Sequence, residues 1–147
     1  MANNPNSLMD IVSKNPYKSS GERQIAAFLD RAGIKFEYEA AVAIRERGYQ
    51  RIWYPDFKLP EYNLFVEYLG VEQSPQYDQR SNYKMKTYQA NGIDVLALYP
   101  NDLNHGYEQK ILNTIQNNLY RKIARVENRL HTYKRKSSSG YRRKAYR

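Results

Sequence analysis

The chain has 147 residues, is 41% hydrophobic and 27% charged, carries a net charge of +9 and contains no cysteine. That length suits one domain with a sizeable core. No run is long and apolar enough to cross a membrane, and without cysteine there is no disulfide framework or thiolate zinc site. The charge is concentrated at one end. Arg129, Lys134, Arg135, Lys136, Arg142, Arg143, Lys144 and Arg147 supply eight of the nine net positive charges, and residues 129–147 hold no acid. A nearly neutral body with a basic tail points to a polyanionic partner, with no membrane involved. The first residues lack a basic-then-apolar signal pattern, and the absence of cysteine fits the cytoplasm. His105 and His131 each stand alone, without metal-ligand spacing.

In chain order, residues 1–18 read as a polar arm interrupted by Pro5 and Pro16, with one or two helical turns near residues 7–12. Ser19-Ser20-Gly21-Glu22 has capping-box spacing. Ile25, Phe28, Leu29 and Ala32 follow at helical intervals, and Gly33 is a natural C-cap. Residues 34–39 alternate apolar and charged, which predicts a half-exposed strand that can continue to residue 44. Residues 45–50 form a polar turn and residues 51–57 return as a strand, irregular or at an edge where Pro55 lacks an N–H. A second helix is predicted over 77–91, ending at Gly92. Residues 93–99 are the most apolar strand, and their density predicts a central position buried on both faces. From Tyr107 a long helix carries one stripe of Ile111, Leu112, Ile115, Leu119, Ile123 and Val126, expected to pack on the sheet. The expected organisation is a core over 19–128 and a disordered basic tail over 129–147. The class is α/β, with a mixed sheet flanked by helices.

Two carboxylates stand out. Asp56 follows Pro55, and Glu67 is the only charge between Leu64 and Gly70. A lone carboxylate inside a buried strand is costly unless something pairs with it. The turn over 59–63 suits a hairpin, and antiparallel pairing around it sets Asp56 opposite Glu67 on one face. Two like charges about 5 Å apart repel by roughly 3 kcal/mol at an effective dielectric near 20. A divalent cation between them turns that repulsion into binding; alternatively, each acid is satisfied separately by Arg, Lys or backbone N–H groups.

Five pieces in order resemble the PD-(D/E)XK nuclease superfamily. They are Ser20-Gly21-Glu22-Arg23, residues 33–39, Tyr54-Pro55-Asp56-Phe57, Phe65-Val66-Glu67-Tyr68-Leu69-Gly70, and Gly92-Ile93-Asp94-Val95-Leu96. They look most like phage junction-resolving, very-short-patch-repair-type and helicase-attached nuclease domains. The resemblance implies a restriction-endonuclease-like core of about four strands flanked by helices. It implies Asp56 and Glu67 as metal ligands, with the Tyr68 carbonyl and Glu22 completing the shell of Mg²⁺ or Mn²⁺. The family lysine belongs two residues after Glu67, where this chain has Leu69. Either a lysine has migrated to the next helix, Lys84 in preference to Lys86, or the site is inactive and the fold is kept for binding. Lys86, Arg23 and the basic tail residues are candidate DNA contacts, and Gln73 is a lesser candidate at the site. The implied activity is structure-specific or weakly sequence-specific cleavage of DNA, of Holliday-junction type if the chain forms a homodimer.

Overall fold

The computed structural model describes residues 15–70 and 75–142, with side chains through residue 137. In chain order the elements are α1 (Ser20–Arg31), β1 (Glu37–Tyr38), β2 (Val42–Glu46), β3 (Tyr49–Trp53), β4 (Phe57–Leu59) and β5 (Leu64–Tyr68). They continue with α2 (Pro75–Ala90), β6 (Val95–Leu98), α3 (Pro100–Asn104) and α4 (Tyr107–Arg142). Residues 7–12, Gln73, Arg143, Lys144, Arg147 and the side chain of Arg142 lie outside the described residues.

Strands β1, β4, β5 and β6 form one mixed sheet in that order. β4 and β5 pair antiparallel with Phe57 opposite Val66 and Leu59 opposite Leu64. The connection closes through Tyr62 N–H to Leu59 O and Asn63 N–H to Pro60 O, with Asn63 left-handed at φ 50°, a region where Asn is enriched among non-glycine residues. β6 joins β5 in parallel after the α2 crossover, with Phe65 level with Val95 and Glu67 with Ala97. Alternation along β4 and β5 turns Phe57, Leu59, Leu64 and Val66 to one face. There they pack with Ile25 and Leu29 of α1 and Ile111 and Ile115 of α4. Phe65 and Glu67 therefore face the other side, where α2 lies.

Several elements differ from the sequence expectation. The strand expected over 34–44 splits into β1 and β2, and the one over 51–57 splits at Pro55 into β3 and β4. β2 and β3 make a separate two-stranded hairpin. Its turn, Arg47-Gly48, has both φ values positive, at 49° and 85°; this is the primed geometry that matches strand twist, and glycine accepts it without strain. β6 lies at an end of the sheet, and β5 is interior. Apolar density reported that β6 is covered, here by both α2 and α4, and not where it ranks in the sheet. Residues 100–104 add the short helix α3, which opens on Pro100, a favoured first helical residue.

α4 departs most. It continues through the residues expected to be a disordered tail, up to Arg142, a stretch with no proline and with the helix formers Arg129, Leu130, Lys134, Arg135 and Lys136. At 36 residues it is about 54 Å long, far longer than a five-residue strand. Among its described residues only Tyr107, Ile111, Ile115 and Asn118 are buried, while Leu112, Leu119, Ile123 and Val126 are 40–55% exposed. The single predicted stripe is two stripes, and only one packs on the body.

Candidate active site

Glu67 is 1% exposed. A carboxylate taken out of water costs several kcal/mol unless its oxygens are paired, and both of these are. Tyr88 Oη donates to Oε1 at 2.6 Å, and Lys84 Nζ donates to Oε2 at 2.8 Å. Lys84 and Tyr88 lie four residues apart, hence on one face of α2. Tyr88 is fully buried and meets the Trp53 ring edge-on at 5.2 Å. Burial, then the charge of Glu67, pushes the Tyr88 phenol above its usual range, so it remains a donor at all physiological pH.

Carrying the β4–β5 register one residue beyond Phe57 sets Asp56 level with Glu67. Asp56 Oδ2 accepts the Tyr68 backbone N–H at 2.7 Å. Burial and then the Glu67 charge push the Asp56 carboxyl up to about 7; the Tyr68 hydrogen bond pulls it down, Glu22 adds to the rise and Lys84 opposes it. Two acids thus share one low-dielectric site, with the Lys84 ammonium in contact with Glu67. Such a pair holds a proton or a cation near neutral pH.

Glu22 approaches from α1, which covers the opposite face of the sheet. Ser19 caps α1 by accepting the Glu22 N–H at 3.1 Å. The Glu22 carboxylate takes the Ser19 hydroxyl at 2.9 Å, the Lys18 N–H at 3.0 Å and the Tyr38 hydroxyl at 2.5 Å. Burial and the Glu22 hydrogen bond raise the Tyr38 phenol. Tyr68 lies over the start of this helix: a Cβ on Gly21 would stand 2.3 Å from the Tyr68 ring, so glycine is what lets the ring approach. Glu39 is close by, paired with Lys18, and its N–H donates to Asp56 O at 2.9 Å.

The structure therefore brings Asp56, Glu67 and Lys84 together, with the Tyr68 backbone against Asp56. Glu22 reaches the group through its field, and among the described residues no three His, Cys, Asp or Glu converge tightly enough to hold a metal ion together. Leu69, two residues beyond Glu67, is buried at 6% exposure. Lys86 is exposed two residues from Lys84, about 200° around α2 from it, and borders a cavity with Asn82, Tyr88, Gln89 and Asp94. Arg23 is exposed on α1, and Lys134, Arg135 and Lys136 lie on the exposed end of α4. Sequence reasoning placed the body tyrosines in the core and missed the hydroxyl roles of Tyr88 and Tyr38. The i, i+4 spacing of Lys84 and Tyr88 was the available signal for the first.

The donor set fits a hard divalent cation of the Mg²⁺ kind. Such an ion binds through one or two carboxylates and keeps its remaining positions for water and phosphate oxygens. Asp56 and Glu67 supply two carboxylates whose mutual repulsion is already expressed in the raised Asp56 carboxyl.

No protein-family model and no curated protein matches this chain. Among solved structures, it is similar to the catalytic domain of the homing endonuclease I-Bth0305I, with a TM-score of 0.51 and 20% sequence identity, over 69% of this chain and 98% of that domain. The likeness is one of fold: this chain has the mixed α+β architecture of that nuclease domain, a four-stranded sheet flanked by helices.

Proposed function

We propose that this protein is a divalent-metal-dependent DNA endonuclease of the PD-(D/E)XK type, structure-specific or weakly sequence-specific, with branched DNA as its first candidate substrate. The observation that carries this reading is the meeting of Asp56, Glu67 and Lys84 at one end of β5, with Lys84 supplied from α2 in place of the strand lysine. The fold shared with a homing endonuclease catalytic domain supports it, as does the basic end of α4.

Asp56 and Glu67 would hold Mg²⁺ or Mn²⁺. An extended residue presents its N–H and C=O to the same edge, so the Tyr68 carbonyl faces the Asp56 side and suits the shell. Glu22, occupied by three donors, acts through water. A bound divalent ion supplies charge neutralisation at phosphate and a more acidic water. Lys84, 2.8 Å from Glu67, would orient the attacking water and balance charge at the scissile phosphate. Tyr88 fixes the Glu67 carboxylate, leaving its remaining lone pairs to the cation. Arg23 and the tail residues Lys134, Arg135, Lys136, Arg142, Arg143, Lys144 and Arg147 contact phosphates, with Lys86 a further candidate.

One observation favours a second reading. The Lys84–Glu67 ion pair satisfies Glu67 without any metal, as expected of an inactive nucleic-acid-binding module with Leu69 in the lysine's place. Incubation with a four-way junction, a flap, a single strand and a linear duplex, each with Mg²⁺, Mn²⁺ or chelator, separates the two. Metal-dependent cutting of the branched substrates supports the enzyme; tight binding with no cutting under any condition supports the module.

A further inference from the structure

We propose that residues 112–133 of α4 form a parallel two-stranded coiled coil with a second copy of this chain. The proposal rests on the stripe that α4 leaves uncovered and is independent of the nuclease reading. Leu112, Leu119, Ile123, Val126, Leu130 and Tyr133 are 40–72% exposed. From Leu119 they are spaced by four, three, four and three residues, the heptad alternation of a coiled-coil seam. In that register Ile123 and Leu130 take a positions, and Leu112, Leu119, Val126 and Tyr133 take d positions. Gln116 is the one polar a residue, and a single polar a residue is a device that fixes register in coiled coils.

The seam is distinct from the face α4 uses on its own body. Ile111, Ile115 and Asn118 are buried there, about a quarter turn around the helix from the seam. A two-fold axis along the seam therefore sends the two bodies to opposite sides of the coil. The six seam side chains alone would remove on the order of 1,200 Å² from water across two copies, which reaches the size of a stable interface.

Charge selects the occupant and its direction. The seam is mostly aliphatic and carries no charge to meet phosphate, whereas Arg121, Arg125 and Arg135 fall at positions on the outside of the coil. In a parallel pair Lys122 at g lies beside Glu127 at e of the second copy, twice by symmetry. Arg129 then opposes Lys134, also twice by symmetry, repulsive contacts that a bound polyanion relieves. An antiparallel pair would instead set Lys122 against Arg129 on both sides.

Light scattering on the full chain at micromolar concentration tests this. The expected mass is twice the 17.4 kDa of one chain. Ile123→Glu with Leu130→Glu, both at exposed sites, is expected to weaken association by about a hundredfold or more with an unchanged circular dichroism spectrum. Because the chain has no cysteine, Val126→Cys is a clean probe of direction. With glutathione disulfide as oxidant it links two copies if the pair is parallel, while His131→Cys, on the outer side, does not. Lys122→Glu weakens the dimer, and adding Glu127→Lys restores it. A monomeric wild type, a dimer indifferent to the Ile123/Leu130 pair, or a Val126→Cys chain that does not cross-link overturns the proposal. So does a monomer whose DNA binding is lost with the seam, which assigns the stripe to the nucleic acid. None of these outcomes depends on cleavage, so failure here and failure of the nuclease reading are read separately.

Discussion

The ammonium of Lys84 lies 2.8 Å from Glu67 Oε2 across a sequence separation of 17 residues. It comes from a helix, while the strand position two residues beyond Glu67 is filled by buried Leu69. The ion pair is thus assembled by the β5–α2–β6 crossover, which turns one face of α2 toward Glu67.

Because Glu67 is 1% exposed, its two donors matter for stability as well as for chemistry. Lys84→Ala leaves a buried carboxylate short of its cation and is expected to destabilise the fold by about 2 kcal/mol, below the full buried-pair penalty because the lysine is partly solvated. Tyr88→Phe removes one neutral donor and is expected to cost about 1–2 kcal/mol. Lys86→Ala, on an exposed position, is expected to stay within about 0.5 kcal/mol. Urea denaturation at pH 7 checks the order; equal effects of the two lysines would contradict the assignment of Lys84.

Asp56 makes stability depend on pH and on cations. Its folded carboxyl is raised from 3.8 to about 7, so the folded state binds the proton more tightly than the unfolded chain. Its contribution is favourable below about pH 4 and is lost as pH rises from there to about 7, by at most about 4 kcal/mol. Asp56→Asn keeps an acceptor for the Tyr68 N–H and removes the charge. It is therefore expected to raise the melting temperature at pH 8 and to change it little at pH 4. Mg²⁺ or Mn²⁺ is expected to stabilise the wild type at pH 8 and not the variant. Equal metal effects on both would detach the cation from this site.

The opposition of Asp56 and Glu67 could be read from a short hairpin whose turn and alternation leave little freedom of register. Lys84 could be read from its position one turn before Tyr88. The tyrosine hydroxyls were harder: beyond the spacing of Tyr88 from Lys84, both Tyr88 and Tyr38 look like packing residues until their partners are seen, because periodicity reports which side is covered and not what an oxygen meets. The β2–β3 hairpin was hidden by its polar strands, with Arg45 and Gln50 exposed next to the turn. The face change on α4 was hidden because Ile111 and Leu112 are neighbours in sequence but about 100° apart around the helix, so two stripes looked like one.

The basic end of α4 carries its own expectation. Replacing Lys134, Arg135 and Lys136 with Gln keeps the helix propensity and removes three charges. If each contacts phosphate, duplex binding weakens and the log–log salt slope falls by about 0.9 per contact, while the Asp56–Glu67 site is untouched. An unchanged slope means that this segment does not touch the DNA backbone.

The most direct measurement is cleavage of a labelled four-way junction by Asp56→Asn beside the wild type, with junction binding measured on the same samples. The wild type is expected to cut in Mg²⁺ or Mn²⁺ and to stop with chelator. Asp56→Asn is expected to bind the junction as tightly while cutting at least about a hundredfold more slowly. Cleavage that survives Asp56→Asn would contradict the central claim that Asp56 and Glu67 form the catalytic metal site.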